Sequence, residues 1–414
     1  MIPIPIIILG IVFALIATRR IGHIKIQMWQ SMMVGAIAVL MTGQIHPIDA
    51  LKSINLDVML FLFGMFVVGS ALEESGYLAH LAYRFFRKAR SVDHLVLLLL
   101  FGFGAMSAFL MNDTVAIVGV PVVLLLARHH CIPPKLLLLT LAFAVTIGST
   151  MSPIGNPQNL LVAVNGNISN PFVTFFQYLL LPTLINLLLA YLLLKLFYQK
   201  HFHKTPLAHS QEPIRDKKLA WLCRVSLVLL ITLVVAKIAM AALGIQVDFK
   251  LVYIALISAL PILILSSRRL EVIKKVDWHT LVFFAAMFVL MESVWRSGFF
   301  QSLITGAGIE ITSVPMVLAV SVLLSQLISN VPLVALYLPM LVRAGATTSA
   351  LMALAAGSTI AGNLTILGAA SNVIIIQGAE KRSGDTLTFL EFLKIGAPLT
   401  LLNIIIYWAF FCIF

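Results

Sequence analysis

Two short polar segments interrupt apolar runs: Met111-Asn112-Asp113-Thr114 within residues 94–127, and Ser329-Asn330-Val331-Pro332 within residues 314–342. An ionised carboxylate at membrane depth is costly unless it is paired or wet. Asp113 therefore suits reversible protonation and reads as a coupling acid. It also suits capping of a helix over 115–127, and the two roles coexist. Asn112, Thr114, Ser329 and Asn330 supply uncharged donors and acceptors beside it. Val331 stands where Asp113 stands in the first segment, so two related tips share one ionisable group. That pattern points to a single coupling proton or cation.

A second pair of segments, Gly148–Asn159 and Gly362–Asn372, is rich in Gly, Pro, Ser, Thr and Asn. Pro153, Pro157 and the glycines predict broken helices. Broken backbone at membrane depth is tolerated only where it lines a cavity or is buried in protein. Half-helix ends there present partial charges, positive at N-termini and negative at C-termini. A packing notch of small residues would account for Gly148 and Gly362. It leaves Asn156, Asn159, Asn363 and Asn372 unexplained, and these, with Ser149, Thr150 and Thr365, are the candidate cavity groups.

The elements that carry these segments are dictated by composition. The chain has 414 residues, 61% apolar and 11% charged. A soluble domain carries about a quarter charged residues and under half apolar ones. A span needs about 20 apolar residues, so this length holds roughly 12 to 14 passes. The longest polar stretch is Tyr198–Lys218, too short for an ATPase, kinase or sensor domain. Spans are predicted near 2–18, 28–44, 55–73, 136–164, 172–197, 219–243, 250–267, 278–296, 347–379 and 391–413. The run 2–18 is followed by Arg19 and Arg20 rather than preceded by charge, so it reads as a permanent span and not a secretory signal. With 94–127 and 314–342 as re-entrant hairpins, all but five (Lys52, Lys237, Lys250, Arg296, Arg343) of the 28 Lys and Arg fall on one face. The positive-inside rule makes that face cytoplasmic and puts both termini outside. The net charge of +12 thus reports topology and not a nucleic-acid partner. Tyr77–Arg90 reads as an amphipathic surface helix, and His129, His130, His201 and His203 as solvated loop residues. Cys131, Cys223 and Cys412 have no paired spacing, which argues against disulfides or a metal site.

An internal repeat organises the chain. Asp57–Val68 through Ser75-Gly76-Tyr77 aligns with the run to Ser297-Gly298-Phe299 at an offset of 222. Met111-Asn112-Asp113 aligns with Ser329-Asn330-Val331 at 218, and Pro121 with Pro339. Thr146, Ser152, Gly155 and Asn159 align with Thr359, Thr365, Gly368 and Asn372 at 213. The chain divides into a first repeat, 1–197 (hairpin 94–127, broken helix 136–164), a cytoplasmic linker, 198–218, and a second repeat, 219–414 (hairpin 314–342, broken helix 347–379). Five crossings per half invert the second repeat. The expected fold is an all-α polytopic membrane protein with two inverted-topology repeats, about ten transmembrane helices, two re-entrant hairpins and two interrupted helices.

The polar tips and the Gly-Asn breaks resemble those of the ion transporter superfamily over nearly the whole chain. The Asn112-Asp113 tip is most similar to the bacterial arsenite-efflux pump (ArsB) family. Divalent-anion symporters carry Ser-Asn-Thr at both tips and match less well. The resemblance implies a scaffold and a mobile transport domain. It also implies a multi-pass antiporter of the bacterial inner membrane, not an enzyme, exporting As(III) and Sb(III) against protons. Asp113 would carry the proton, and Asn112, Thr114, Ser149, Thr150, Asn156, Asn159, Ser329, Asn330, Asn363, Thr365 and Asn372 would contact substrate. No cofactor is implied beyond the coupling proton, with sodium as the alternative ion. Implied partners are the lipid bilayer, a soluble arsenite-stimulated ATPase on the basic linker, and a second copy in a homodimer. Independently, no Lys or Arg lies between Arg90 and Arg128, Lys135 and Lys195, Arg296 and Arg343, or Arg343 and Lys381. Sites without a fixed cation suit neutral arsenous acid better than a dicarboxylate or sulfate. No Cys lies in the four motifs, which avoids a thiolate cage that would not release trivalent arsenic. A sodium/proton antiporter, or another anion transporter of the superfamily, stays open on these residues. A channel is disfavoured by breaks at matched positions in both halves.

Overall fold

A computed structural model describes residues 3–18, 20–21, 24–25, 27–77, 80–81, 89, 91–130, 132–202, 214–243, 249–299, 302, 311–383 and 387–413. Most of the surface helix expected at Tyr77–Arg90, linker residues 203–213, Arg19, Cys131 and both chain ends lie outside them.

The chain begins with α1 (Ile4–Thr18), α2 (Met28–Met41), short α3 (Pro47–Ser53) and α4 (Leu56–Ser75). A two-residue antiparallel bridge, Arg20–Ile21 against Ile24–Lys25, joins α1 to α2. Next come α5 (Val92–Leu110), α6 (Asn112–His130), α7 (Pro134–Ser149) and α8 (Pro157–Asn165). His130, expected in a solvated loop, is buried at the end of α6. Helix α9 (Pro171–Phe197) follows, with a π turn at Phe176–Leu180. Beyond the linker lie α10 (Lys217–Ala242), α11 (Leu251–Leu265), α12 (Arg269–Lys274) and α13 (Trp278–Arg296). The chain closes with α14 (Val314–Ile328), α15 (Asn330–Arg343), α16 (Thr348–Ile360), α17 (Ala370–Ser383) and α18 (Phe389–Phe411). Helices α4, α5, α9, α10, α13 and α18 are long and apolar enough to cross a membrane. Helix α5 has 19 residues, about 28 Å at 1.5 Å per residue, yet the chain turns at its end into α6 at Met111.

Local sequence sets these boundaries. Asn55 Oδ1 caps α4 by accepting the Val58 N–H at 3.1 Å. Asp277 Oδ1 caps α13 through the Thr280 N–H at 3.0 Å. Each cap supplies one of the partners a helix N-terminus lacks. Gly76 (φ 70°) and Gly298 (φ 72°) end the same two helices in the left-handed conformation, which glycine adopts without steric cost. Caps and glycines both match at the repeat offset of 222. Pro121 and Pro339, matched at the offset of 218, lie inside α6 and α15.

The core lies around α7 and α16, which are buried on all sides from Leu136 to Ser149 and from Ala350 to Ile360. A helix apolar all round belongs in such a place. Helix α5 packs along α7, and α14 along α16. The first contact is very close: a Cβ on Gly148 would lie 2.2 Å from the Gly104 Cα. The second arm of each hairpin packs on the helix beyond the opposite break, α6 on α17 and α15 on α8. These two crossed contacts bring tips and breaks together.

Candidate functional site

The first tip is sealed onto the first break. Met111 turns the chain with φ 66° and ψ 138°, a conformation that is uncommon and strained for a residue with a side chain. The turn lets the Asn112 N–H donate to the Gly155 carbonyl at 2.9 Å. Asn112 Oδ1 accepts the Asp113 N–H, also at 2.9 Å. Asn112 and Thr114 are buried, while Asp113 keeps partial exposure. Thr114 is fixed against α4, where a Cβ on Gly69 would lie 2.8 Å from its methyl carbon. No Lys or Arg pairs with Asp113 among the described residues, and the exposed Asp277 lies close enough for its charge to act there.

The first break is held closed by its own amides. Asn156 caps α8, its Oδ1 accepting the Asn159 N–H at 2.8 Å. Asn159 Nδ2 donates to the carbonyls of Ser149 (3.2 Å), Thr150 (3.1 Å) and Ser152 (3.0 Å). Three carbonyls at and beyond the end of α7 thus share one side-chain donor, those of Ser149 and Ser152 also accepting the N–H groups of Ser152 and Gly155. Asn156 Nδ2 donates to Ser149 Oγ (3.0 Å) and to Thr359 Oγ1 (3.2 Å). Gln158 Nε2 also reaches Thr359 Oγ1, at 3.4 Å. Thr359 Oγ1 in turn donates to Asn159 Oδ1 at 3.2 Å. The Ser149 hydroxyl donates to the Thr146 carbonyl at 2.9 Å. Thr150 bonds the same carbonyl (3.4 Å) and touches Tyr407, whose hydroxyl meets Thr183 Oγ1 at 2.7 Å.

The second break repeats the framework without the closure. Asn372 Nδ2 donates to the carbonyls of Gly362 (2.6 Å) and Thr365 (3.4 Å). Asn363 Nδ2 donates to Asn403 Oδ1 at 3.0 Å. Ser329 turns the second tip with φ 70° and ψ 158°, as Met111, its repeat counterpart, turns the first. The buried oxygens Asn330 Oδ1, Asn363 Oδ1, Asn372 Oδ1, Thr146 Oγ1, Ser325 Oγ and Ser371 Oγ have no hydrogen-bond partner among the described residues. Buried polar atoms normally find one.

Gln326 holds this half together, and sequence reasoning does not single it out. Its Nε2 donates to the Ala361 carbonyl (2.8 Å), and its Oε1 accepts the Thr365 hydroxyl (2.8 Å). The available signal is a lone amide inside an apolar arm, one turn of helix before Ser329. Thr359 escapes for a related reason, since its partners Asn156 and Asn159 lie in the other half of the chain.

Charge is kept to the periphery. Arg268 bonds Glu271 and Asp216, and Lys275 pairs with Glu74 at 2.6 Å. The Asp216 carboxyl is held below its usual range by the Leu219 N–H and then by Arg268. Elsewhere, the Arg296 guanidinium holds the Asp49 carboxyl low. A cavity of about 360 Å³ lies between α13 and α15, lined in part by Asn165, Glu292, Trp295 and Arg343. Among the described residues no three His, Cys, Asp or Glu side chains gather to hold a metal ion.

Paired hairpins meeting paired helix breaks inside an apolar helical body make this a membrane transporter fold. The chain belongs to the citrate transporter family, whose model matches residues 12–349. It is 30% identical to an uncharacterized transporter of Mycobacterium bovis over 95% of this chain and 94% of that one. It is 27% identical to the silicon efflux transporter LSI3 of Oryza sativa subsp. japonica, over the same shares of the two chains. Among solved structures, the YdaH transporter of Alcanivorax borkumensis superposes with a TM-score of 0.63 at 15% identity, over 99% of this chain and 98% of that one. MtrF of Neisseria gonorrhoeae, described with a class of antimetabolite efflux pumps, gives 0.57 at 15%, over 100% and 95%. At that identity the two structures bear on the fold alone.

Proposed function

We propose that this transporter exports arsenite and antimonite, as neutral trihydroxides, in exchange for protons by alternating access. The halves 1–197 and 219–414 are the two inverted units, and residues 198–218 tether them. The observation that carries the reading is the set of buried, unpartnered oxygens around the second tip and break. Three of them are amide oxygens, which accept, and three are hydroxyls, which accept or donate; a hydroxylated neutral molecule does both and suits the whole set. Free citrate brings negative charge to a lining of amide oxygens and hydroxyls that has no cation in it among the described residues. The helix N-termini that would meet an anion are partly occupied already. The Asn112, Asp113 and Asn159 N–H groups all bond within the protein. The rice relative's description as a silicon efflux transporter lends support, because silicic acid is also a small neutral hydroxide.

Asp113 is the coupling acid in this reading. It is partly exposed, lacks a cationic partner among the described residues and stands at the start of α6, which packs on α17 beside the second break. Protonation on one side of the membrane and release on the other gives the cycle its energy. Asn330, Asn363 and Asn372 face the cargo, Ser329 and Thr365 shape its cleft, and Asn112 and Thr114 set the acid's position. Ser149, Thr150, Asn156 and Asn159 hold the first break rigid. Replacing Asp113 by Asn should abolish arsenite uptake driven by a pH gradient while leaving the melting temperature near wild type. Full gradient-driven uptake in that variant would remove the proton role.

An oxygen-lined cleft also suits a cation, which keeps sodium/proton exchange as the second reading. Sodium added to proteoliposomes, with proton release followed by a pH dye, separates the two.

A further inference from the structure

The two clefts occupy equivalent positions but differ in how their polar groups are used. Four matched pairs carry the difference. Ser107 Oγ donates to the Val145 carbonyl at 2.7 Å, whereas its repeat counterpart, Ser325 Oγ, has no partner among the described residues. Asn112 Oδ1 accepts a hydrogen bond, and Asn330 Oδ1 does not. Asn159 Oδ1 and Thr359 Oγ1 bond each other across the halves. Their repeat counterparts, Asn372 Oδ1 and Thr146 Oγ1, both lack a partner among the described residues, and both residues are 1% exposed. These last two share a neighbour. Asn372 Nδ2 bonds the Gly362 carbonyl, and the Thr146 methyl carbon would lie 3.2 Å from a Cβ on Gly362.

Side-chain size accounts for the contrast. In the first cleft Thr359 Oγ1 receives the amides of Asn156 and Gln158. At the same offset of 213 the second cleft has Ala369 and Ser371, and Gly362 in place of Ser149. Two amide donors and a hydroxyl have been replaced by smaller groups around Thr146. Among the described residues Thr359 Oγ1 and Asn159 Oδ1 are therefore met by the protein's own groups, and their counterparts Thr146 Oγ1 and Asn372 Oδ1 are not.

We infer that Thr146, a first-half residue, selects the cargo of the second cleft: ligand hydroxyls donate where the amides of Asn156 and Gln158 donate in the first. This rests on the efflux reading for the identity of the cargo, but the difference between the clefts does not. It assigns the ligand class from the chemistry of those two atoms, as a small hydroxylated molecule that donates to Asn372 Oδ1 and exchanges a hydrogen bond with Thr146 Oγ1.

The test compares Thr146→Val with Thr359→Val, each nearly isosteric and each removing one hydroxyl, in full-length protein reconstituted in proteoliposomes. Arsenite is the probe, with KM and melting temperature as readouts. Thr146→Val should raise KM about tenfold, the worth of one hydrogen bond at the upper end of its usual range, with its melting temperature unchanged. Thr359→Val should lower the melting temperature, because it takes an acceptor from the buried amides of Asn156 and Gln158 and a donor from Asn159 Oδ1, and should leave KM near wild type. Ser371→Gln, which restores the first cleft's amide, should block uptake without lowering the melting temperature. An unchanged KM in Thr146→Val, or the reverse pattern in the two variants, overturns the inference and leaves the efflux reading standing. If the wild-type protein takes up no arsenite, the efflux reading fails. The contrast in melting temperature then still decides the inference, and equal destabilisation of both variants overturns it.

Discussion

Asn372 repeats, in the second half of the chain, the work of Asn159 in the first. Asn159 Nδ2 bonds the carbonyls of Ser149 and Ser152, and Asn372 Nδ2 bonds those of Gly362 and Thr365, which match them in the repeat. A break in a buried helix leaves carbonyls without partners, and a side-chain amide is the smallest group that can satisfy several of them. The two asparagines therefore fix both breaks in a defined conformation instead of a collapsed loop.

Their replacement should separate structure from transport. Asn159→Ala removes the side-chain donor of three buried carbonyls, two of which keep a backbone N–H, and the acceptor of the Thr359 hydroxyl, which costs about 1–3 kcal/mol. Its melting temperature should fall well below that of Asn372→Ala, which removes the side-chain donor of two carbonyls, that of Thr365 keeping the Gly368 N–H, beside a cleft already short of partners. Asn372→Ala should instead lose arsenite uptake. Thermal unfolding in detergent, paired with vesicle uptake, checks both halves of this expectation.

Gln326 ties the first arm of the second hairpin to the second break through Ala361 and Thr365. Gln326→Leu keeps the volume roughly constant and removes both bonds. Transport should drop about tenfold or more, since each lost bond is worth about 1 kcal/mol. Rescue by Gln326→Glu under conditions where the carboxyl is protonated would trace the loss to hydrogen bonding. Wild-type transport in Gln326→Leu would show that the tie is dispensable.

Gly148 meets Gly104 backbone to backbone, and a Cβ at Gly148 would lie 2.2 Å from the Gly104 Cα. Neither backbone can move without separating α5 from α7. Gly148→Ala should therefore cost several kcal/mol, more than ordinary overpacking at about 1–3 kcal/mol. The loss should appear as low expression or an aggregated peak in size-exclusion chromatography. A monodisperse, wild-type-stable Gly148→Ala would refute the close packing.

Asp216 lies at the end of the linker, where the Leu219 N–H and Arg268 hold its carboxyl low. A lowered folded pKa stabilises the fold at pH values above the unfolded carboxylate pKa, about 4. That contribution is lost as pH falls through the folded value. Asp216→Asn should accordingly lower stability modestly at pH 7, change it little below the folded value, and so flatten part of the acid limb of a stability-against-pH curve. An acid limb identical to wild type would assign the acid sensitivity to other groups.

Much of the site is legible in the sequence because polar residues in apolar runs have few explanations. The Asn112-Asp113 and Ser329-Asn330 tips and the Gly-Pro-Asn clusters lie where the chain turns and where the buried helices end. The Met111 turn is hidden, since a left-handed conformation is normally advertised by Gly or Asn. The difference between the clefts is hidden too. It depends on Thr359 meeting Asn156 and Asn159 from across the chain, and on Ala369 and Ser371 being small, which matters only once their counterparts are seen in place. The asparagines grouped by sequence as cargo contacts divide accordingly. Asn156 and Asn159 are engaged by the protein, whereas Asn330, Asn363 and Asn372 each have an oxygen without a partner among the described residues.

The most direct test of proton-driven efflux is arsenite uptake into everted membrane vesicles with and without an imposed proton gradient. The account predicts accumulation that follows the gradient, collapses with a protonophore and disappears in Asp113→Asn. Uptake indifferent to the gradient, or no uptake at all, would contradict it.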